Sequence, residues 1–248
     1  MPASIVLLTD FGFSEYVGVM KGVLAIHAPE ARVIDLCHDV SPQGIREGAW
    51  LLAETYRWFP RGSVFLCVVD PGVGSERRAV AIQSENYFFV GPDNGLLYPC
   101  ATRDGVVQAV ELTPPPGASR TFHGRDVFAP AAAQLANGRP LEALGPAVSD
   151  LVSLRFHREG REGEIVRIDR FGNCLTNLPP VPGKKEYMAR IEVGRLPDRL
   201  PFFARYQDAP EGVLFLIENS YGTLEIALKD GNAASVVQTL SGSRITLA

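Results

Sequence analysis

The stretch VFLCVVDPGVGSERR, residues 64–78, decides the fold class. Residues 64–69 form a continuous apolar run rich in β-prone side chains, which is typical of a strand buried on both faces of an α/β sheet. Asp70 therefore follows the carboxyl end of a strand, which is the edge where open α/β sheets bind ligands. The glycines that follow form a turn that brings Arg77 and Arg78 within reach of Asp70. Such a pair is either a structural ion pair or part of a functional site.

Strand-like and helix-like segments alternate around this stretch as far as about residue 144. Because strands separated by helices are typical of parallel sheets, we predict an α/β domain with a mainly parallel sheet over residues 1–155. The predicted strands are 5–9, 33–36, 64–69, 80–82, 87–90 and 106–112. The predicted helices are 15–26, 44–58 and 127–135, with a further short helical segment after residue 95.

The pattern changes in the last third of the chain. Short β-rich runs at 164–169, 190–193, 212–217 and 224–228 are separated by Gly, Pro and Asn turns, without convincing helical periodicity. We therefore predict a smaller all-β, barrel-like domain over residues 160–248.

Composition excludes several classes of protein. The 248 residues have 46% hydrophobic content and a formal net charge of −4, without a long basic run, so we expect a globular protein that does not bind nucleic acid. The start of the chain has neither a signal-like nor a membrane-length apolar run, and we expect no membrane association and a cytoplasmic location. The four cysteines lack C-x-x-C spacing, so we expect buried thiols rather than disulfides or metal ligands.

Two motifs of the first domain carry further candidate residues. In TDFG, residues 9–12, Asp10 can accept hydrogen bonds from a vicinal diol, or else Asp10 or Ser14 caps the following helix. In TFHGRD, residues 121–126, His123 can exchange a proton near neutral pH. The alternative for His123 is a residue at a helix start, with Asp126 capping or pairing.

The second domain contributes the motif IDRFGNCLTN, residues 168–177. Asp169 can hold an ammonium group, Asn173 can bind the edge of a heterocycle, and Phe171 can stack on it. Turn-rich segments around Ser220 and Ala233 can present hydroxyls or backbone amides, or they are plain hairpin turns.

Six motifs in this order resemble the S-adenosyl-L-methionine (SAM) hydroxide adenosyltransferase family, also called adenosine-forming SAM hydrolase, which is related to SAM-dependent fluorinases and chlorinases. They are LLTDFG, CHDVSP, VVDPGVGSERR, VGPDNGLLYP, TFHGRDVFAP and IDRFGNCLTN. The resemblance implies hydrolysis of SAM to adenosine and L-methionine without a metal or cofactor. It also implies a homotrimer, with substrate between the N-terminal domain of one subunit and the C-terminal domain of its neighbour.

The resemblance also implies roles for individual residues. The catalytic set falls on Asp70, Arg77 and His123, and the ribose carboxylate on Asp10. In the C-terminal domain, the implied contacts are Asp169 to the methionine ammonium, Ser220 to its carboxylate, and Asn173 with the backbone around Ala233 to adenine. Two positions depart from the halogenating relatives: Gln43 stands where they carry an aromatic wall, and Leu175 replaces a tryptophan.

Two alternatives to hydrolysis stay open. One is a SAM-dependent, chlorinase-like halogenase, but in the fluorinase-like pattern Asp70 and His123 become tyrosines and Gly124 becomes serine. A halide needs desolvation and neutral donors and gains nothing from a base, so the residues present favour water as the nucleophile. The other alternative is a non-catalytic SAM- or adenosine-binding protein, which would have little use for Asp70, Arg77 and His123.

Overall fold

The computed structural model describes residues 3–248, which form two compact units. The first unit ends at Leu154 and the second begins at Arg155. All four cysteines are free thiols, and Cys67, Cys100 and Cys174 are buried as predicted, whereas Cys37 is only partly buried.

The first unit is built on one sheet of six strands in the order β2-β1-β3-β5-β4-β6. The strands are β1 (Ser4–Thr9), β2 (Arg32–Cys37), β3 (Val64–Val68), β4 (Ala79–Ser84), β5 (Phe88–Pro92) and β6 (Val106–Glu111). Strand β4 is antiparallel to both of its neighbours, whereas β2, β1, β3 and β5 run in one direction. The prediction of a mainly parallel sheet is confirmed.

Helices cover both faces of this sheet. They are α1 (Glu15–His27), α2 (Ile45–Thr55), α3 (Tyr98–Asp104) and α4 (Ala129–Ala136). Ile5 and Leu7 of β1 join the core formed with α1 and α4, whereas Leu8 faces the opposite way and lies beside Gly48 of α2. The alternation follows from the two-residue period of a strand and explains why β1 is apolar at successive positions.

The reversed strand β4 places two candidate residues at one edge of the sheet. Strand β3 ends two residues before Asp70, and β4 begins two residues after Arg77. Because β4 runs against β3 and β5, its start lies at the edge where those strands end. The turn from 71 to 76 therefore stays at this edge and does not cross the sheet.

The second unit is a seven-stranded, barrel-like sheet in the order β10-β9-β13-β7-β8-β12-β11. The strands are β7 (Glu162–Ile168), β8 (Cys174–Thr176), β9 (Glu186–Ile191), β10 (Arg199–Pro201), β11 (Leu214–Glu218), β12 (Leu224–Leu228) and β13 (Arg244–Leu247). Each neighbouring pair is antiparallel, and one parallel bridge, Phe202 to Leu216, connects the two ends. Seven strands cannot alternate in direction all the way round a ring, so one junction has to be parallel.

Some element predictions were wrong in detail. The helix predicted over 44–58 ends at Thr55 and continues as a 3-10 turn, and the helix predicted from 127 is preceded by a π-helical turn, Gly124–Phe128. The run predicted at 190–193 belongs to β9, which begins at Glu186. The segment around 233 is a short helix, α5 (Ala233–Val237), rather than a hairpin turn, because Asn232 accepts a hydrogen bond from the Ser235 backbone and caps it.

Within residues 3–248, none of the helices has the length and apolar character to cross a bilayer.

Phe65 provides a test of the first core. It is fully buried, and its ring packs against Phe59, Tyr87 and Phe89. The substitution Phe65→Ala leaves a cavity, so we expect the free energy of unfolding to fall by about 3–5 kcal/mol in a denaturant titration followed by circular dichroism. Trp58→Ala is the control, because this ring is 79% exposed and should change the value by less than about 0.5 kcal/mol. Equal losses in the two variants would contradict this assignment of the core.

Candidate active site

Asp70 and Arg77 form a bidentate ion pair that is almost wholly removed from water. Their side chains are 5% and 10% exposed. Arg77 Nε donates to Asp70 Oδ1 at 2.9 Å, and Arg77 Nη2 donates to Asp70 Oδ2 at 2.5 Å. Two parallel N–H···O bonds fix the guanidinium plane relative to the carboxylate. The turn at the carboxyl edge therefore presents a fixed pair of opposite charges.

The same guanidinium nitrogen reaches His123, which precedes the π-helical turn before α4. Arg77 Nη2 lies 2.9 Å from His123 Nδ1. A guanidinium can only donate, so Nδ1 has to accept, and a neutral ring then carries its proton on Nε2. The structure thus brings the three predicted catalytic residues into one chain of contacts, and the chemistry of arginine assigns the histidine tautomer.

The charge state of His123 follows from its surroundings. Burial lowers its pKa below the ordinary value, and the positive charge of Arg77 lowers it further, whereas Asp70 and Asp126 act in the opposite direction. The imidazole is therefore neutral at physiological pH, in agreement with its acceptor role at Nδ1. Asp126 pairs with Arg125 and accepts from the Ser119 backbone, so the alternative in which it pairs within its own segment is correct for Asp126.

Gly74 explains how the Asp70 turn and the His123 loop come so close. Its φ is +74°, which favours glycine, and a Cβ at this position would lie 2.1 Å from the Arg120 carbonyl oxygen. The backbones of the turn and of the loop before His123 are therefore in direct contact. A side chain at position 74 would separate Arg77 from His123.

Arg78 does not join the cluster, although the sequence placed it equally near Asp70. Its guanidinium donates to Asp93 Oδ2 at 2.6 Å and to Asp150 Oδ1 at 2.7 Å. Arg78 thus forms ion pairs with carboxylates other than Asp70, contrary to the expectation that both arginines would join Asp70. Successive residues of the extended segment before β4 point in opposite directions, and the two arginines consequently have different partners.

Asp10 lies at the end of β1 and does not cap α1, so that alternative is wrong. Its Oδ2 accepts a hydrogen bond of 2.8 Å from the Gln43 backbone, and Gln43 has a φ of +63°. Ser14 is the residue at the helix start, but its hydroxyl makes no capping bond. One oxygen of Asp10 is thus tied to the segment before α2, and the carboxylate keeps acceptor sites for a ligand.

An aromatic cluster, which the sequence analysis missed, joins the Asp10 loop to the His123 loop. The rings of Phe11, Tyr16 and Phe122 lie 5.1–6.2 Å apart between centroids. Phe11 follows Asp10 and Phe122 precedes His123, so the cluster places the two candidate residues on neighbouring loops. The only signal in the sequence was that Phe11 is next to Asp10 and that Phe122 is next to His123.

In the second unit, Asp169 organises the loop between β7 and β8. Its Oδ1 accepts from the Phe171 and Asn173 backbones at 2.9 Å each, and its Oδ2 accepts from Asn173 Nδ2 at 3.1 Å. Asn173 is buried, whereas Phe171 is 69% exposed. Three candidate residues thus share one loop, with an exposed ring beside a fixed amide.

Helix α5 packs its first turn onto this loop. The Ala234 backbone donates to the Gly172 carbonyl at 2.8 Å, and Ala233 is buried beneath. A Cβ at Gly172 would lie 2.2 Å from the Asn232 side chain, so the contact requires glycine. The backbone around Ala233 is therefore next to the Asp169 loop, as a shared binding site requires.

Ser220 lies in the turn between β11 and β12. Asn219 shapes this turn by accepting from the Tyr221 and Thr223 backbones. The pairing of Cys174 with Ile226 places the Asp169 loop beside the later half of β12, whereas Ser220 precedes that strand. A ligand that contacts both therefore has to extend along β12.

Glu225 is a buried acid that the sequence analysis did not single out. The Tyr206 hydroxyl donates to it. Burial raises its pKa, and the charge of Asp169 contributes in the same direction. Asp169 is thus electrostatically coupled to the interior of the second unit.

Among residues 3–248, no group of three or more His, Cys, Asp or Glu side chains is arranged to hold a metal ion.

Comparisons with known proteins cover almost the whole chain. A family model described as the SAM hydroxide adenosyltransferase N-terminal domain matches residues 5–145, and the corresponding C-terminal model matches residues 163–246. The chain is 42% identical to the (R)-S-adenosyl-L-methionine hydrolase of Thermus thermophilus, over 97% of both proteins. It is 29% identical to the fluorinase of Nocardia brasiliensis, over 94% of this chain and 91% of that protein. A crystal structure of a conserved protein from Thermotoga maritima has a TM-score of 0.89 and 35% identity, over 98% of this chain and 100% of that one.

The influence of Arg77 on His123 can be measured directly. In Arg77→Leu the nearby positive charge is lost while Asp70 stays, so we expect the pKa of His123 to rise. The titration can be followed by NMR of the imidazole protons, since the chain has only four histidines. Arg78→Leu is the matched control and should leave the pKa of His123 unchanged. A His123 pKa that is equal in Arg77→Leu and in the unsubstituted protein would contradict the contact.

Proposed function

The chain belongs to the SAM hydroxide adenosyltransferase family, and from this premise we propose that it is an enzyme that hydrolyses SAM to adenosine and L-methionine. The contact of Arg77 with both Asp70 and His123 is the observation that carries the proposal, because these groups together can orient and deprotonate a water molecule. The higher identity to a hydrolase than to a fluorinase supports the same conclusion.

The reaction that we propose is an in-line displacement at the ribose 5′ carbon. A bond forms between the water oxygen and C5′ while the bond from C5′ to sulfur breaks. The electron pair goes to sulfur, and methionine leaves as a neutral thioether that needs no acid. Water has to lose one proton, so catalysis consists of positioning the reactants and accepting that proton.

The hydrogen-bond pattern favours Asp70 as the proton acceptor. His123 Nδ1 is engaged by Arg77 and its Nε2 carries the proton, so the neutral ring can donate to the water oxygen but not accept from it. A carboxylate has about four acceptor sites, of which the bidentate arginine uses two. Arg77 then stabilises the hydroxide-like oxygen electrostatically.

We also propose which side chains contact the substrate. Asp10 binds the ribose diol with the acceptor sites that Gln43 leaves open. In the second unit, Asp169 binds the methionine ammonium and Asn173 binds adenine. Asn173 Nδ2 donates to Asp169, so its Oδ1 is the atom suited to accept from the adenine amino group.

Three further contacts complete the proposed binding of SAM. The exposed Phe171 ring stacks on the base, and the backbone around Ala233 binds the adenine edge. Ser220 binds the methionine carboxylate from the turn that precedes β12.

The name of the Thermus relative specifies the (R) configuration. We propose that this chain likewise acts on SAM of the (R) configuration at sulfur, a preference that sequence reasoning left open. The two epimers present different directions for the breaking bond, so a site built for in-line attack discriminates between them.

The proposed assembly follows from the family resemblance alone. We propose a homotrimer in which the second unit of one subunit completes the site of its neighbour, and sedimentation velocity tests this state. The cytoplasmic location stays a prediction from the sequence.

Incubation with each SAM epimer in halide-free ¹⁸O-water tests the activity. We expect labelled adenosine and methionine from the (R) epimer, detected by liquid chromatography and mass spectrometry. Asp70→Asn should lower kcat by roughly 10²–10⁴-fold, because the proposed proton acceptor is lost. Binding of SAM without turnover would instead support a binding protein, and a halogenated nucleoside formed after chloride addition would support a halogenase.

The neighbouring arginines provide a matched control for this assay. Arg77→Lys removes the bidentate contact and should lower kcat strongly, whereas Arg78→Lys changes only the pair with Asp93 and Asp150. Equal effects of the two substitutions on kcat would overturn the role proposed for Arg77.

A further inference from the structure

Two side chains that the proposed reaction does not use meet beside Asp10. Thr9 is fully buried at the end of β1, and its hydroxyl lies 2.9 Å from Nδ1 of His38, which follows β2. The Phe11 backbone donates to the same hydroxyl at 3.2 Å. The Gly12 backbone donates to the His38 carbonyl at 2.8 Å. Thr9 and Gly12, on either side of Asp10, are therefore both hydrogen-bonded to His38.

The surroundings of the second ring nitrogen, Nε2, determine whether Nδ1 donates or accepts a hydrogen bond. His38 Nε2 lies 3.0 Å from Asp35 Oδ1, and Asp35 Oδ2 in turn pairs with Lys21 Nζ at 2.6 Å. The angle of this contact falls short of a hydrogen bond. An unprotonated Nε2 would nevertheless turn its lone pair toward the carboxylate, so electrostatics place the ring proton on Nε2. In the neutral ring Nδ1 is then an acceptor, and the Thr9 hydroxyl donates to it.

This arrangement gives the Thr9 hydroxyl one acceptor, His38 Nδ1, and one donor, the Phe11 backbone. The hydroxyl donates its proton to His38 and accepts from Phe11, which leaves no freedom for the hydroxyl to rotate. Removing either partner would leave a donor or acceptor unsatisfied near a fully buried site, which is costly. The loop from 9 to 12 is thereby held in one conformation.

Asp10 lies within this fastened loop, and its carboxylate is held from the other side by the Gln43 backbone. We propose that His38, acting through Thr9, is a positioning residue that orients the Asp10 carboxylate for ribose recognition. The proposal rests on the ribose role of Asp10 in the proposed function. Asp35 and Lys21 take part by fixing the tautomer of His38.

A purely structural role for this network would have a different consequence. In that case, substitutions would lower the stability of the first unit and weaken all ligands alike. If His38 orients Asp10, substitutions should weaken only ligands that carry the ribose hydroxyls. Comparing adenosine with 2′,3′-dideoxyadenosine, which lacks both hydroxyls, separates the two roles.

The test measures binding of both nucleosides by calorimetry to the full-length protein and to four variants. His38→Asn keeps an acceptor near the Nδ1 position, whereas His38→Gln keeps only the contact toward Asp35. Thr9→Val removes the hydroxyl with little change in shape. Thr55→Val is the matched control, because the buried Thr55 hydroxyl donates to a carbonyl within α2 and lies outside the network.

We expect the unsubstituted protein, Thr55→Val and His38→Asn to prefer adenosine over the dideoxynucleoside by about tenfold. His38→Gln and Thr9→Val should lose most of that preference while binding the dideoxynucleoside as before. Thermal unfolding of each variant shows that it is folded, and if Thr9→Val does not fold, the two His38 variants decide. An unchanged preference in His38→Gln, or equal loss for both nucleosides, would overturn the proposal.

The SAM assay distinguishes this result from failure of the proposed function. A preference that depends on His38 in a protein that does not hydrolyse either SAM epimer would retain the positioning role and reject hydrolysis. Hydrolysis of SAM with a preference that is independent of His38 would do the reverse. Absence of any preference for adenosine in the unsubstituted protein would overturn both the positioning role and the assignment of Asp10.

Discussion

The buried ion pair between Asp70 and Arg77 is the constraint around which the first unit is organised. Removing such a pair from water costs several kcal/mol per ion unless geometry and additional hydrogen bonds compensate. Here the compensation comes from the bidentate contact, from the His123 lone pair, and from the Phe128 ring, whose centroid lies 5.2 Å from the guanidinium carbon. The antiparallel strand β4 and the backbone contact at Gly74 bring these groups together.

The charge of this pair also bears on the choice of nucleophile. A halide approaching the cluster would meet the carboxylate of Asp70 as well as the guanidinium, and like charges at close range in a water-poor site repel strongly. Water carries no charge and can use the carboxylate as its proton acceptor. The residue that we propose as the proton acceptor in hydrolysis thus also disfavours halide attack, and both effects derive from one negative charge.

Much of the fold could be predicted, because buried strands are continuous apolar runs and the position of Asp70 after one of them implies the sheet edge. Sequence alone could not separate Arg77 from Arg78, since neighbouring residues of the same type differ only in the direction in which they point. It also missed the strands β8, β10 and β13, which have only three or four residues each, and the five-residue helix α5. The contact of His38 with Thr9 and the contact of His123 with Arg77 join residues that are 29 and 46 positions apart, which no local pattern reveals.

The odd number of strands in the second unit has a dynamic consequence. Where Phe202 meets Leu216, closure depends on a single parallel bridge and a hydrogen bond from the Phe203 backbone, whereas β11 and β12 are paired over five residues. Local opening begins where the fewest backbone hydrogen bonds have to break. We therefore expect the backbone amides of this junction to exchange with solvent before those that pair β11 with β12. The Asp169 loop lies on the far side of the five-residue pairing of β11 with β12, so opening of this junction leaves that loop in place.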